Sequence, residues 1–103
     1  MQSIGDIMGQ MRTMQEKMTN IQEELARRTV TASSGGGMVT VVCNGKQEIL
    51  SITVEKAIVS PEDTEMLEDL VLTAVNEALR LSREMMTQEM SALAGGLNIP
   101  GLS

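Results

Sequence analysis

The 103-residue chain has a net charge of −6, is 42% hydrophobic, and contains one cysteine and no histidine, phenylalanine, tyrosine or tryptophan. Without histidine it lacks the usual general base near neutral pH and the commonest zinc ligand, and without Phe, Tyr or Trp it has no aromatic side chain on which a nucleobase could stack. The length suits one domain whose core is aliphatic and filled by methionine, of which there are ten.

The opening MQSIGDIMGQ lacks the basic region and apolar run of a secretory signal, and Cys43 has no second cysteine to pair with. The apolar run Leu70 to Val75 is far shorter than the roughly 20 residues that cross a bilayer. A soluble, cytoplasmic protein without a membrane partner is the expectation.

Ile4, Met11, Met18 and Leu25 lie seven apart, and Ile7, Met14 and Ile21 repeat three places after the first three. This narrow seam predicts a helix over residues 4–28 that packs lengthwise on another helix. Gly5 and Gly9 weaken its first turns, so fraying is expected there.

After Arg28 the apolar period falls to two, predicting a three-stranded antiparallel sheet over residues 29–55. TVTAS supplies a first strand and SSGGG a turn. Val39, Val41 and Cys43 then alternate, Asn44-Gly45 suits a two-residue type I′ turn, and Leu50, Ile52 and Val54 alternate in reply. The result is a hairpin with one buried face, in which Cys43 is a small buried hydrophobe.

A second helix is predicted over 61–93, starting either with Ser60 as N-cap and Pro61 in the first turn, or with Asp63 as the cap. Glu62, Asp63, Glu65, Glu68 and Asp69 then sit at the positive end of its dipole. Its apolar stripe runs from Met66 to Met90 and should stop at Gly95-Gly96, leaving 95–103 as a flexible tail.

About 30 helical residues span roughly 45 Å, whereas a compact chain of this size is only about 33 Å across. The second helix must overhang its own domain. An exposed seam and bare sheet edges call for a second copy, so the expected assembly is a homodimer with the sheets as hub and the helices as arms.

In order and spacing, SGGGMV, NG, SITV, TEMLEDLV, AVNEA and GGLNIPGL resemble the YbaB/EbfC family of bacterial nucleoid-associated proteins over nearly the whole chain. The resemblance implies an α+β fold, α-β-β-β-α, forming a tweezer-like homodimer. It also implies binding to double-stranded DNA with relaxed sequence preference on the cytoplasmic nucleoid, and a role in nucleoid organisation and gene expression. These motifs are structural and bring no set of DNA-contacting residues with them.

The candidate contacts therefore come from charge. Arg12 and Lys17 on the first helix and Arg80 and Arg83 on the second are the available phosphate donors on the arms, with Glu16, Glu77 and Glu84 as competing ion-pair partners. Arg27 and Arg28 suit the negative end of the first helix and are further candidates. So few cations predict a shallow salt dependence.

SSGGG lacks the G-x-x-x-x-G-K-[ST] pattern of a phosphate loop, and the methionines fit core packing better than copper binding. No nucleophile, base and oxyanion donor can be assembled, so no catalytic site, cofactor, metal or small-molecule substrate is expected. The competing reading is a protein-interaction adaptor whose amphipathic arms grip a partner helix.

Overall fold

The computed structural model describes residues 3–96. In chain order it comprises α1 (Ile4–Arg27), β1 (Thr29–Ser34), β2 (Val39–Asn44), β3 (Ile49–Val54), a 3-10 turn at Lys56–Ile58, and α2 (Thr64–Gly96). This is the α-β-β-β-α order expected; the proposed tail lies outside the described residues from 97 onward.

A capping box that the two glycines obscured in the sequence closes the start of α1. The Asp6 N–H donates to Ser3 Oγ at 3.1 Å and the Ser3 N–H to Asp6 Oδ2 at 3.4 Å, so exposed donors of the first turn are satisfied despite Gly5 and Gly9.

Of the two possible starts for α2, the chain takes the later. Ser60 uses its hydroxyl on Glu62, donating to Oε2 at 2.7 Å, and its carbonyl accepts from the Asp63 N–H in a turn that contains Pro61. Asp63 Oδ1 then accepts from the Met66 N–H at 3.3 Å.

The sheet is antiparallel in the order β1-β2-β3, with rows such as Ala32, Val41 and Ile52 facing one another across the strands. One face carries Val30, Ala32 and Ser34, then Val39, Val41 and Cys43; the other carries Thr31 and Ser33, Thr40 and Val42, Ser51 and Thr53. A register shift at Val42/Cys43 pairs Cys43 with Ile49, so Ile49, not the expected Leu50, extends the Ile52 and Val54 face.

The Asn44-Gly45 connection also differs from expectation, since four residues separate β2 from β3 and the positive φ of 63° falls on Gln47. Gly45 is needed for a different reason: a Cβ there would lie 2.7 Å from Leu25 Cδ2 and 2.9 Å from the Leu25 carbonyl oxygen. In the turn before β2 the backbone does need glycine, with φ of 61°, 69° and 96° at Gly35, Gly36 and Gly37.

Val39, Val41 and Cys43 are wholly buried, as are Ala74 and Ala78 of α2. Two alanines four apart present a flat helix face, which lets α2 settle closely on β1 and β2, flanked by Leu67, Leu70, Val71 and Val75. Ser34 Oγ fastens this end by donating to the Leu70 carbonyl at 2.6 Å.

Past the sheet, α1 lies on the distal part of α2, with Leu25 buried and Met14, Met18 and Ile21 half-buried. The molecule measures 72 × 24 × 16 Å with a radius of gyration of 20.0 Å. A compact chain of this length would have about 13 Å, so the predicted overhang is present.

Candidate nucleic-acid interface

Arg12 and Lys17 project from α1 as exposed side chains, Arg27 is exposed at its last turn, and Arg83 is exposed on α2 just where that helix leaves the sheet. Among the described residues, ion pairs involve only the other two predicted contacts, Arg28 and Arg80.

Arg80 is held by two carboxylates on its own helix. Its Nε and Nη2 donate to Glu77 at 3.0 and 2.5 Å, and its Nη1 donates to Glu84 at 2.6 Å. The hydrogen bond from Arg80 holds the Glu77 carboxyl below the usual carboxylate range, and the same bond raises the guanidinium further above its own. Before Arg80 can reach a phosphate, that clamp has to open.

Arg28 instead bridges the two helices of the arm. Its Nη1 donates to Glu89 of α2 at 2.5 Å and lies 4.0 Å from Glu24 of α1. The residue also caps α1 through its own N–H, which donates to the Glu24 carbonyl at 2.9 Å. Structure already occupies this side chain.

Where arm meets sheet, the loop from Asn44 to Glu48 acts as a clasp. α1 ends without a glycine cap, and its last carbonyls are served by this loop. Gly45 N–H donates to the carbonyls of Leu25 (2.8 Å) and Arg28 (3.1 Å), and Asn44 Nδ2 donates to that of Ala26 (3.3 Å).

Asn44 Oδ1 accepts from the N–H groups of Lys46 and Glu48, which fixes the loop itself. On the other side, Ser82 of α2 donates through Oγ to the Asn44 carbonyl at 2.8 Å and accepts from the Gln47 N–H at 3.0 Å. Sequence reading missed Asn44 and Ser82 as a pair. The available signal was a serine standing among Ala78, Leu79, Leu81 and Met85 in an otherwise apolar stripe.

Two apolar surfaces are left open. Ile49, Leu50 and Ile52 of β3 are exposed, Ile52 by 48%, because α2 lies over β1 and β2 and not over this edge strand. On α1, Ile4, Ile7, Met8 and Met11 are exposed along the N-terminal part of the helix. Among the described residues no group of His, Cys, Asp and Glu side chains is arranged to hold a metal, and no helix is long and apolar enough to cross a membrane.

A three-stranded sheet carrying a projecting two-helix arm with exposed cations places the chain in the class of helix-flanked-sheet proteins. Residues 1–97 match the model of the YbaB/EbfC DNA-binding family, and the chain belongs to that family.

Its relatives include a nucleoid-associated protein of Syntrophobacter fumaroxidans, 60% identical over 95 residues that make up 92% of this chain and 86% of the relative. Another, from Desulforamulus reducens, is also a nucleoid-associated protein and is 55% identical over 97% of this chain and 95% of its own length. Both are named as nucleoid-associated proteins and neither as an enzyme.

Among solved structures, the uncharacterized protein HP0035 from Helicobacter pylori superposes with a TM-score of 0.82, covering 91% of this chain and 99% of that one. At 21% identity this likeness establishes the shared fold.

Proposed function

We propose that two copies of the chain join through their β3 edges and hold duplex DNA between their arms, with little preference for sequence. The exposed cations Arg12, Lys17, Arg27 and Arg83 on the projecting arm carry this reading, since they have no competing ion pairs among the described residues. Long flexible side chains of this kind reach phosphate oxygens, which position a protein without reading bases.

Pairing through β3 is supported by its uncovered edge, whose free backbone groups and exposed Ile49 and Ile52 suit a second strand better than water. A nucleoid location and an influence on gene expression follow from coating the chromosome at high copy number.

A gel-shift titration tests the reading. Four exposed arm cations on each copy cap the slope of log affinity against log salt at about −7, and because only part of them reach phosphates at once the slope should be markedly shallower than that. Failure to shift any duplex at about 50 mM salt with micromolar protein removes it.

The exposed Ile4, Ile7, Met8 and Met11 stripe favours a second reading, an adaptor that grips an amphipathic helix. It predicts capture of a protein partner that survives both nuclease treatment and high salt.

A further inference from the structure

We propose that Asn44 and Ser82 are positioning residues for the DNA grip, their hydrogen bonds forming the elbow that fixes the arm's angle to the sheet. The inference rests on the DNA-binding reading above and adds residues that touch no phosphate.

The place of the elbow follows from the topology. Asn44 is the last residue of β2, and it pairs with Thr29, the first of β1. The sheet therefore ends level with Ser82, and residues 83–96 of α2 continue beyond it for about 21 Å. Ala74 and Ala78 hold the helix on the sheet side, whereas its distal part is joined to α1 by the Arg28–Glu89 pair.

Asn44 lies between these two parts and touches both. It is 4% exposed, and Ser82 is wholly buried at a point where an alanine or leucine would continue the apolar stripe. Through one loop, Ala26 of α1, the end of β2 and Ser82 of α2 are bound to a common set of atoms.

Leverage makes the angle matter. A swing of about 15° at the elbow moves the end of a lever of about 21 Å by about 5 Å, more than the roughly 3.4 Å rise between phosphates on one strand. An arm free to swing that far meets its phosphates only part of the time, and the apparent dissociation constant rises in proportion.

Ser82→Ala is the test, because it removes the hydroxyl without orphaning its partners: the Gln47 N–H also donates to the Asn44 carbonyl at 3.3 Å. Spin labels at exposed Thr31→Cys and Thr87→Cys, in labelled chain diluted into excess unlabelled protein, report the arm's angle, while Cys43 is buried and stays unlabelled. Val71→Ala, which removes apolar core contacts away from the elbow and leaves its hydrogen bonds in place, serves as a control for lost stability.

The wild type should give a narrow distance distribution. Ser82→Ala should broaden it, weaken duplex binding about fivefold and flatten the salt slope by about 0.9 for each phosphate the arm no longer reaches. Val71→Ala should change neither distance nor slope. Gly45→Ala, whose new Cβ meets Leu25, should shift the mean distance. If the wild type binds DNA and Ser82→Ala matches it in distance and slope, the elbow is wrong and the DNA reading stands. If the wild type fails to bind, both fall.

Discussion

At the scale of residues, the fate of each arginine is decided by what stands one turn away. Arg80 has Glu77 at i−3 and Glu84 at i+4, and both hold it; Arg83, only three residues on, is exposed and outside any ion pair among the described residues. Exposed pairs of this kind add little to folding stability, so the clamp matters chiefly for what it withholds from a ligand. Changing Glu77→Gln together with Glu84→Gln should leave thermal stability almost unchanged while releasing Arg80. In a dimer that adds two phosphate donors and steepens the salt slope by about 1.8, read from binding isotherms at several salt concentrations. Conversely, Arg12→Ala with Arg83→Ala should weaken binding more than Arg80→Ala. Acid should act on the clamp in the same direction as the glutamine changes. Because Glu77 titrates below its ordinary value of 4.5, the ion pair is intact above that value and is lost only as pH falls through the lowered one. The competition was legible in the sequence from spacing alone; the Arg28–Glu89 bridge was not, because it links residues 61 apart.

At the scale of elements, local patterns were sufficient where local forces decide. The seam from Ile4 to Leu25 and the alternation in β2 specify their elements because period and propensity agree there. The loop after β2 shows where that stops. Asn44-Gly45 has the composition of a tight hairpin turn, but Gly45 is pressed against Leu25, and this packing against another element sets the loop's length and moves the positive φ to Gln47. The bulge beside Cys43 is likewise set by strand pairing and leaves no mark in either strand's own alternation. β3 carries the clearest consequence, for α2 covers only the other two strands and leaves an apolar edge. Placing a charge on it by Ile52→Lys should leave the circular dichroism of the protomer unchanged, because the side chain is 48% exposed. Self-association should weaken at least about a hundredfold, equivalent to about 2.7 kcal/mol, as seen by sedimentation equilibrium. A dimer of undiminished strength would move the interface off β3.

At the scale of the whole molecule, charge is distributed along the long axis. Glu62, Asp63, Glu65, Glu68 and Asp69 are all exposed around the start of α2, and residues 4–28 carry four acidic and four basic groups, so the arm is nearly neutral while the hub holds most of the −6. The hydroxyl of Ser60, donating to Glu62, keeps that one carboxyl ionised below its ordinary range. Whether the block affects DNA depends on distance against screening. From Glu68 to Arg83 the helix rises about 22 Å, more than two Debye lengths at about 0.1 M salt but less than one at about 0.01 M. Replacing Glu65→Gln, Glu68→Gln and Asp69→Asn should therefore leave duplex affinity unchanged at the higher salt concentration and raise it several-fold at the lower. Both values can be read from the fluorescence anisotropy of a labelled duplex. An increase of equal size at both salt concentrations would put the acidic block beside the bound DNA. The interface would then belong to the hub, and the arms would have to be there for something else.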